Sequence, residues 1–313
     1  VTEMIKPRKA AIVGIGHVGS HVASALVTQG LVSELVLIDT DRAKAEAHGA
    51  DLADTICWMP HSARVWAGDY SDCADAELMI ISASGPIFKE DRLEELAGSL
   101  DTMDEIAPHI LECGFQGLIM VITNPVDVVA SYLRRKLGFG PDRVFGSGTT
   151  LDSGRLRRNI AQALGVSPMS VEAWVLGEHG DSQMIPWSRV TVGGQPLELA
   201  PGGKELDRQE IWEKTMKAGW NIVLGKGSTE FGIGAAAAQI VRAIFFDEKR
   251  ILPVSVLLDG VCGQQGIHAS VPVCLGAGGP ERICMPIMAQ EEEQAFIHSC
   301  ERLREFEPAL INR

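Results

Sequence analysis

No stretch of this 313-residue chain reaches the eighteen or so consecutive apolar residues that a membrane helix needs, so a helical membrane protein is excluded. Positive charge is also scarce. Lys and Arg number 28 against 41 Asp and Glu, a formal net charge of −13. That balance argues against nucleic acid or an anionic membrane as a general partner, while leaving room for a locally basic pocket that takes a small anion. Paired cysteines are missing as well. Cys57, Cys73, Cys113, Cys262, Cys274, Cys284 and Cys300 are odd in number, widely spaced and nowhere in a CxxC arrangement. This excludes a disulfide framework and a zinc knuckle, and reads as free thiols in a reducing compartment. The opening VTEMIKPRK is short and basic, with no apolar stretch before the first strand signal. A cytoplasmic protein without a targeting segment is therefore expected. There is no internal repeat and no low-complexity tail.

The composition is that of a globular protein, with 46% apolar and 22% charged residues, and the length suits two domains. In the first half, the short β-rich runs AAIV, ELVLID, RVWA, ELMIIS, GLIMVIT and RVFG are separated by helix-like stretches. Such alternation predicts a parallel sheet covered on both faces. The second half is less regular. Helices are expected over 152–163, 205–227, 232–247 and 291–307, with strands at EAWVL, SRVTV, ILPVSVLL and HASVPVCL and a turn region at GQPLE. The natural break falls near Gly146–Thr150.

Directly after AAIV comes GIGHVG, which puts Gly14, Gly16 and Gly19 in the G-x-G-x-x-G spacing. The first glycine permits the turn, the second lets a pyrophosphate approach the backbone, and the third admits close helix packing. Phosphate charge would then sit at a helix N-terminus. Asp39 ends the next strand, 20 residues beyond Gly19, where a carboxylate accepts from both ribose hydroxyls and repels a 2′-phosphate. The cofactor expected is NAD rather than NADP. The fold class is therefore α/β, a Rossmann dinucleotide-binding domain with a parallel sheet over 1–147. A mixed α+β substrate domain follows over 148–313.

In VLGEHGDSQMIPW, His179 lies between an acid and a glycine after an apolar run. Hydride reduction of a ketone leaves an alkoxide that needs a proton, and the reverse reaction needs a base. A neutral imidazole near pH 7 serves both directions if its other nitrogen is fixed. Asp152 and Arg155 in LDSGRLRR fall on one face of a predicted helix. One would orient a histidine, and the other has the forked donor that suits a substrate carboxylate. Periodicity does not say whether Asp152 reaches His179. Asn124 in ITNPVD has a bland alternative as a helix cap before Pro125.

From GIGHVG onward, ITNPVD, GTTLDSGRLR, GEHGD and KGSTEFGIG occur in one order, and in this the chain resembles the L-lactate and malate dehydrogenase family. The resemblance implies a Rossmann domain that binds NAD and small 2-oxo and 2-hydroxy acids as substrates. It implies a homo-oligomer, tetramer favoured over dimer. It also implies that His179 is the acid/base, that Asp152 orients it and that Arg155 clamps the substrate carboxylate. Asn124 would contact nicotinamide and substrate oxygen, Thr229 would lie near substrate, and Ile233 would press on the nicotinamide ring. Arg92 matches the mobile-loop arginine that polarises the substrate carbonyl.

The substrate-reading position of that loop is Pro86 or Ile87, neither charged, followed by Phe88. Malate would bring an unpaired carboxylate into an apolar region, at a cost on the order of several kcal/mol. Malate dehydrogenase activity is not expected. An apolar pocket gains about 0.8 kcal/mol per extra methylene, and ECGFQG and GEHGDSQ are similar to the L-2-hydroxyisocaproate dehydrogenases. The expectation is thus an NAD-dependent L-2-hydroxyacid dehydrogenase for acids with a medium or bulky apolar side chain. The alternative is an L-lactate dehydrogenase without fructose 1,6-bisphosphate activation, because the family's effector histidine is replaced by Glu172 opposite Arg157. A protein that binds NAD without turnover is the alternative of another class, to be separated by NADH consumption with a panel of 2-oxo acids. Glu230, directly after Thr229, would either face the pocket or point to solvent or a partner subunit.

Overall fold

Continuous apolar runs mark strands covered on both faces, and the first half of the chain is built from them. The structure, a computed structural model, describes residues 8–85 and 92–311. In chain order the first elements are β1 (Lys9–Val13), α1 (His17–Thr28), β2 (Glu34–Ile38), α2 (Arg42–Ile56), β3 (Arg64–Ala67), β4 (Leu78–Ile81), α3 (Arg92–Glu112), β5 (Leu118–Val121), α4 (Val126–Leu137) and β6 (Val144–Gly146). All six strands are parallel, in the order β3-β2-β1-β4-β5-β6. Each of the six predicted runs forms one of them. The strand order reverses between β1 and β4, and ligands of such sheets bind at the carboxyl ends beside that reversal. Gly14, Asp39 and Asn124 all follow strand ends on that side.

The second half comprises α5 (Thr150–Leu164), β7 (Val171–Glu172), β8 (Thr191–Val192), β9 (Gln195–Pro196), α6 (Arg208–Lys226), α7 (Phe231–Phe245), β10 (Arg250–Val261), β11 (Gln264–Gly276), β12 (Gly279–Ile283), α8 (Gln290–Arg304) and α9 (Glu307–Ile311). β7, β8 and β9 form a small antiparallel sheet. The antiparallel strands β10, β11 and β12 extend the parallel sheet to nine, β10 joining β6 at Ser255 and Gly146. One apolar core runs through both halves, and a second fills the space around α5 and α6 with Leu156, Ile160, Val171, Val175 and Ile211. No helix among the described residues is long and apolar enough to cross a membrane.

Three expectations are corrected. EAWVL and SRVTV contribute only the two-residue strands β7 and β8. Val175 bonds the side chains of Thr149 and Ser153, Leu176 makes only an isolated bridge to Met184, and Trp187–Arg189 is a 3-10 turn after Pro186, which has no N–H to donate to a ladder. GQPLE is not simply a turn, since it contains β9 and a further 3-10 turn. The terminal helix stops at Arg304, and α9 restarts at Glu307 with Pro308 in its first turn. Proline is tolerated in a first turn, whereas inside a helix, as at Pro108 of α3, it removes a backbone hydrogen bond. α7 carries the alanine run and packs closely on α1. A Cβ at Gly234 would lie 3.0 Å from the His21 carbonyl oxygen. That approach brings the start of α7 to the glycine-rich end of α1.

Candidate active site

The glycines after β1 leave a cradle that side chains would fill. Gly14 has φ +91°, and a Cβ there would sit 2.4 Å from the Ala83 nitrogen. A Cβ at Gly19 would lie 2.0 Å from the Gly14 carbonyl oxygen, whereas one at Gly16 would meet nothing within 4 Å. Two positions therefore serve backbone packing and one faces open space. No side chain caps α1 and its first turn holds no acid, so its N-terminal N–H groups are available to an anion. Asp39 is fixed by the loops it joins: Oδ2 accepts the Ile15 N–H at 2.7 Å and Oδ1 accepts the Asp41 N–H at 3.0 Å. Each oxygen keeps a lone pair for a ribose hydroxyl. The residues present fit a dinucleotide.

The segment carrying His179 is pinned from several elements. Leu176 and Met184 exchange both backbone hydrogen bonds, 2.8 and 2.9 Å, and close the loop between them. Gly177 exchanges two more with Ser270 of β11. Thr149, the cap of α5, and Ser153 within that helix hold Val175 at its carbonyl and N–H. Ser299 of α8 accepts the Glu178 N–H at 2.8 Å, and Asp127 of α4 accepts the His179 N–H at 2.8 Å. Gly177 has φ +89°, and a Cβ there would strike the Ser299 hydroxyl. Only glycine fits that corner.

On this fixed backbone the imidazole Nδ1 lies 2.6 Å from Asp152 Oδ2, and Asp152 Oδ1 accepts from Arg155 Nη1 at 2.9 Å. The contact that periodicity left open, Asp152 to His179, is present. Its side chain is 3% exposed and that of Arg155 10%, while His179 keeps 27% and so can meet a ligand. Burial opposes charge on the imidazole, but the adjacent Asp152 carboxylate outweighs it and holds His179 above the ordinary histidine range. Burial likewise opposes ionisation of Asp152, and His179 and Arg155 together hold it below the usual carboxylate range. A line of base, acid and guanidinium results. With Nδ1 engaged, Nε2 is the nitrogen left for proton exchange. α6 passes the guanidinium at Gly219, where a Cβ would lie 3.5 Å from both terminal nitrogens.

The remaining predicted residues are distributed around this line. Asn124 is exposed after β5, joined to Pro125 by a cis peptide bond, with its carbonyl accepting the Ser99 hydroxyl at 2.7 Å. The helix-cap alternative is corrected, because Pro125 is the cap of α4 and no side chain bonds there. Thr229 and Ile233 are half-buried at the start of α7. Glu230 is 5% exposed and its carboxylate meets Lys226 and the Ser228 hydroxyl, 3.7 Å from His17 Nδ1, so it does not point to solvent. Pro86 and Ile87 lie outside the described residues, as does the side chain of Arg92, whose backbone opens α3. Sequence reasoning missed Asp127 and Ser299. For Asp127 there was a signal, an acid inside the apolar run VDVVA. Ser299 offered none, because a serine in an amphipathic terminal helix has no distinguishing pattern.

Two buried groups here titrate in opposite senses. His268 on β11 is 2% exposed, and burial pushes it down to about 3. The unfolded chain therefore binds this proton below about 6.5 while the folded chain does not, so stability falls as pH drops through that window. Burial pushes Asp127 up to about 6, so the folded chain takes that proton first and gains stability as pH drops from about 6 toward 3.8. The two nearly cancel between pH 6 and 4. His268→Gln removes one of them. Relative to wild type it is expected to gain about 1.4 kcal/mol per pH unit on going from pH 6 to pH 4. Urea unfolding at three pH values checks this, and a constant difference contradicts it.

Comparison with known proteins bears on what this arrangement belongs to. Residues 8–146 match the model of the lactate/malate dehydrogenase NAD-binding domain, and residues 149–307 match that of the lactate/malate dehydrogenase alpha/beta C-terminal domain. An L-lactate dehydrogenase of Fusobacterium nucleatum is 37% identical over 308 residues, 97% of each chain. L-lactate dehydrogenase 3 of Bacillus thuringiensis is 40% identical over 306 residues, 96% of each. Among solved structures, the minor L-lactate dehydrogenase of Enterococcus mundtii superposes with a TM-score of 0.91 at 36% identity, covering 95% of this chain and 96% of that one. A lactate dehydrogenase from a Medee basin deep-sea metagenome gives 0.93 at 35% identity, covering 98% and 99%. The cradle, the fixed histidine and these matches agree, and the chain belongs to the lactate/malate dehydrogenase family as an NAD-dependent oxidoreductase of 2-hydroxy acids.

Proposed function

We propose that this protein is an L-lactate dehydrogenase that interconverts pyruvate and L-lactate. The observation that carries the reading is the hydrogen-bonded line Arg155–Asp152–His179, one carboxylate clamp beside one proton carrier. The relatives named as lactate dehydrogenases support it over the bulkier-substrate expectation, since none of those named above is a hydroxyisocaproate dehydrogenase. NAD, held by the Gly14, Gly16 and Gly19 cradle and Asp39, supplies hydride chemistry when bound. The forked guanidinium of Arg155 takes both oxygens of the substrate carboxylate. His179 gives the Nε2 proton to the ketone oxygen as charge develops there, and Asp152 keeps the Nδ1 proton and stabilises the cation before transfer. In the reverse direction Nε2 removes the hydroxyl proton. Arg92 adds positive charge at the carbonyl, Asn124 and Thr229 orient substrate, and Ile233 presses on the ring side.

Pro86 and Ile87, being uncharged, argue against a dicarboxylate substrate. Glu172 stands as the opposite charge near Arg157, so a sugar bisphosphate meets a carboxylate there and no activation is expected. We assign residues 1–147 to the cofactor domain and 148–313 to the substrate domain. We also favour a cytoplasmic homo-oligomer, tetramer over dimer. The exposed Trp58, Met169, Leu224 and Phe231 are large apolar side chains suited to subunit contact.

A second reading, acids with larger apolar side chains, is favoured by the uncharged Pro86 and Ile87 at the substrate-reading position. An apolar contact there would add about 0.8 kcal/mol per buried methylene. Measuring kcat/KM with NADH for pyruvate, 2-oxoisocaproate, phenylpyruvate and oxaloacetate separates these. The lactate reading expects pyruvate first and oxaloacetate last, by at least about 100-fold. A branched or aromatic acid in first place would overturn it in favour of the second reading.

A further inference from the structure

His179 is served by two carboxylates, and the family comparison of motifs accounts for only one. Asp152 holds the ring. Asp127 holds the backbone, accepting the His179 N–H at 2.8 Å through Oδ2. Asp127 is 2% exposed, and its carboxylate faces the Ser255 hydroxyl of β10, whose hydrogen bond favours the charged form. A carboxylate that served only to hold one N–H and one hydroxyl would be costly to bury, and burial does oppose its charge. An amide would do that task without a charge.

We propose that Asp127 is a positioning residue for proton transfer, whose carboxylate fixes the His179 backbone from behind while its negative charge helps the imidazole keep its proton. Two features of its place in the fold support this. Asp127 lies in the first turn of α4, where the helix N-terminus favours an anion. It also stands three residues after Asn124, so the strand end carrying Asn124 and the loop carrying His179 are joined through one side chain. The inference rests on the acid/base reading of His179.

The charges around this pair come from several elements. Asp152 and Arg155 face the imidazole from α5, and Glu178 adjoins it on its own loop. His268 of β11 and Glu307 of α9 line the small cavity beside Asp127, and Cys300 faces it from α8. Asp127 is one of the groups raising the His179 imidazole, while its own carboxyl is pushed up to about 6 by burial. The two protons are therefore coupled, each made harder or easier to lose by the other's charge.

Asp127→Asn separates charge from shape, since its side-chain oxygen still accepts the His179 N–H and its amide can donate to Ser255. Removing the anion leaves the imidazolium less favoured, so His179 is expected to lose its proton at a lower pH. The alkaline limb of kcat/KM for pyruvate reduction and the acid limb for lactate oxidation should both move to lower pH. NMR titration of ring-labelled histidine, which needs no turnover, should show the same shift in the free protein. A purely structural role would lower the plateaus and leave both limbs in place. An unmoved His179 titration in the folded variant overturns the proposal. Should the variant not fold, wild-type protein labelled at the Asp carboxylates and His rings gives the answer. Two-step curves at both Asp127 and His179 support the coupling, and single-step curves overturn it. Wild-type turnover of NADH with pyruvate is read separately, so failure of the lactate reading is not mistaken for failure of this one.

Discussion

His179→Asn is expected to lower kcat for pyruvate reduction by about 1,000- to 10,000-fold while leaving NADH affinity within about twofold. Asparagine fills the same place and can donate a hydrogen bond. It cannot surrender the proton that the forming alkoxide needs, and in the other direction it cannot take one. The loss should be larger than for an exposed histidine because Asp152, 3% exposed, is then left with Arg155 as its only charged partner in this line. Stopped-flow NADH absorbance gives kcat, and fluorescence titration gives NADH binding. Retained turnover would place the proton transfer elsewhere. A parallel loss of NADH binding would mean that the substitution damaged the fold rather than the chemistry.

Arg155→Lys should reduce kcat/KM for pyruvate by about 1,000-fold, equivalent to ~4 kcal/mol. Lysine keeps the positive charge but loses the planar fork that meets two carboxylate oxygens at once. It also loses the fixed geometry of the bond from Nη1 to Asp152 Oδ1 at 2.9 Å, so the alignment of His179 should suffer too. The deficit is expected mainly in KM at high enzyme stability, with Tm changed by only a few degrees. Steady-state kinetics with pyruvate and a thermal melt check both parts. An unchanged KM would remove Arg155 from the carboxylate site.

The cofactor half was legible because each of its signals is local. AAIV runs straight into GIGHVG, the next strand ends on Asp39, and strand, turn and helix follow one another without long-range help. The same locality put Asp152 and Arg155 on one face of α5. What stayed hidden depends on contacts distant in sequence. Nothing in the periodicity of α5 shows that Asp152 reaches a histidine 27 residues away, because Ser270, Ser299 and Asp127, from three separate elements, fix the loop that turns at Gly177. EAWVL misled for the same reason. Its β-like composition is real, but Thr149 and Ser153 satisfy Val175 in place of a strand partner. Glu230 shows the limit at the level of one side chain, since its ion pair with Lys226, one helical turn away in sequence, was readable only with the loop conformation in hand.

The central claim is that one imidazole exchanges a proton with the substrate oxygen while the neighbouring guanidinium grips the acid end. A crystal structure with NADH and oxamate, an unreactive pyruvate mimic, tests it most directly. It should place His179 Nε2 about 2.6–3.2 Å from the oxamate carbonyl oxygen, with both carboxylate oxygens on Arg155. An imidazole turned out of the filled cleft, or oxamate held by its carboxylate elsewhere, would contradict the account.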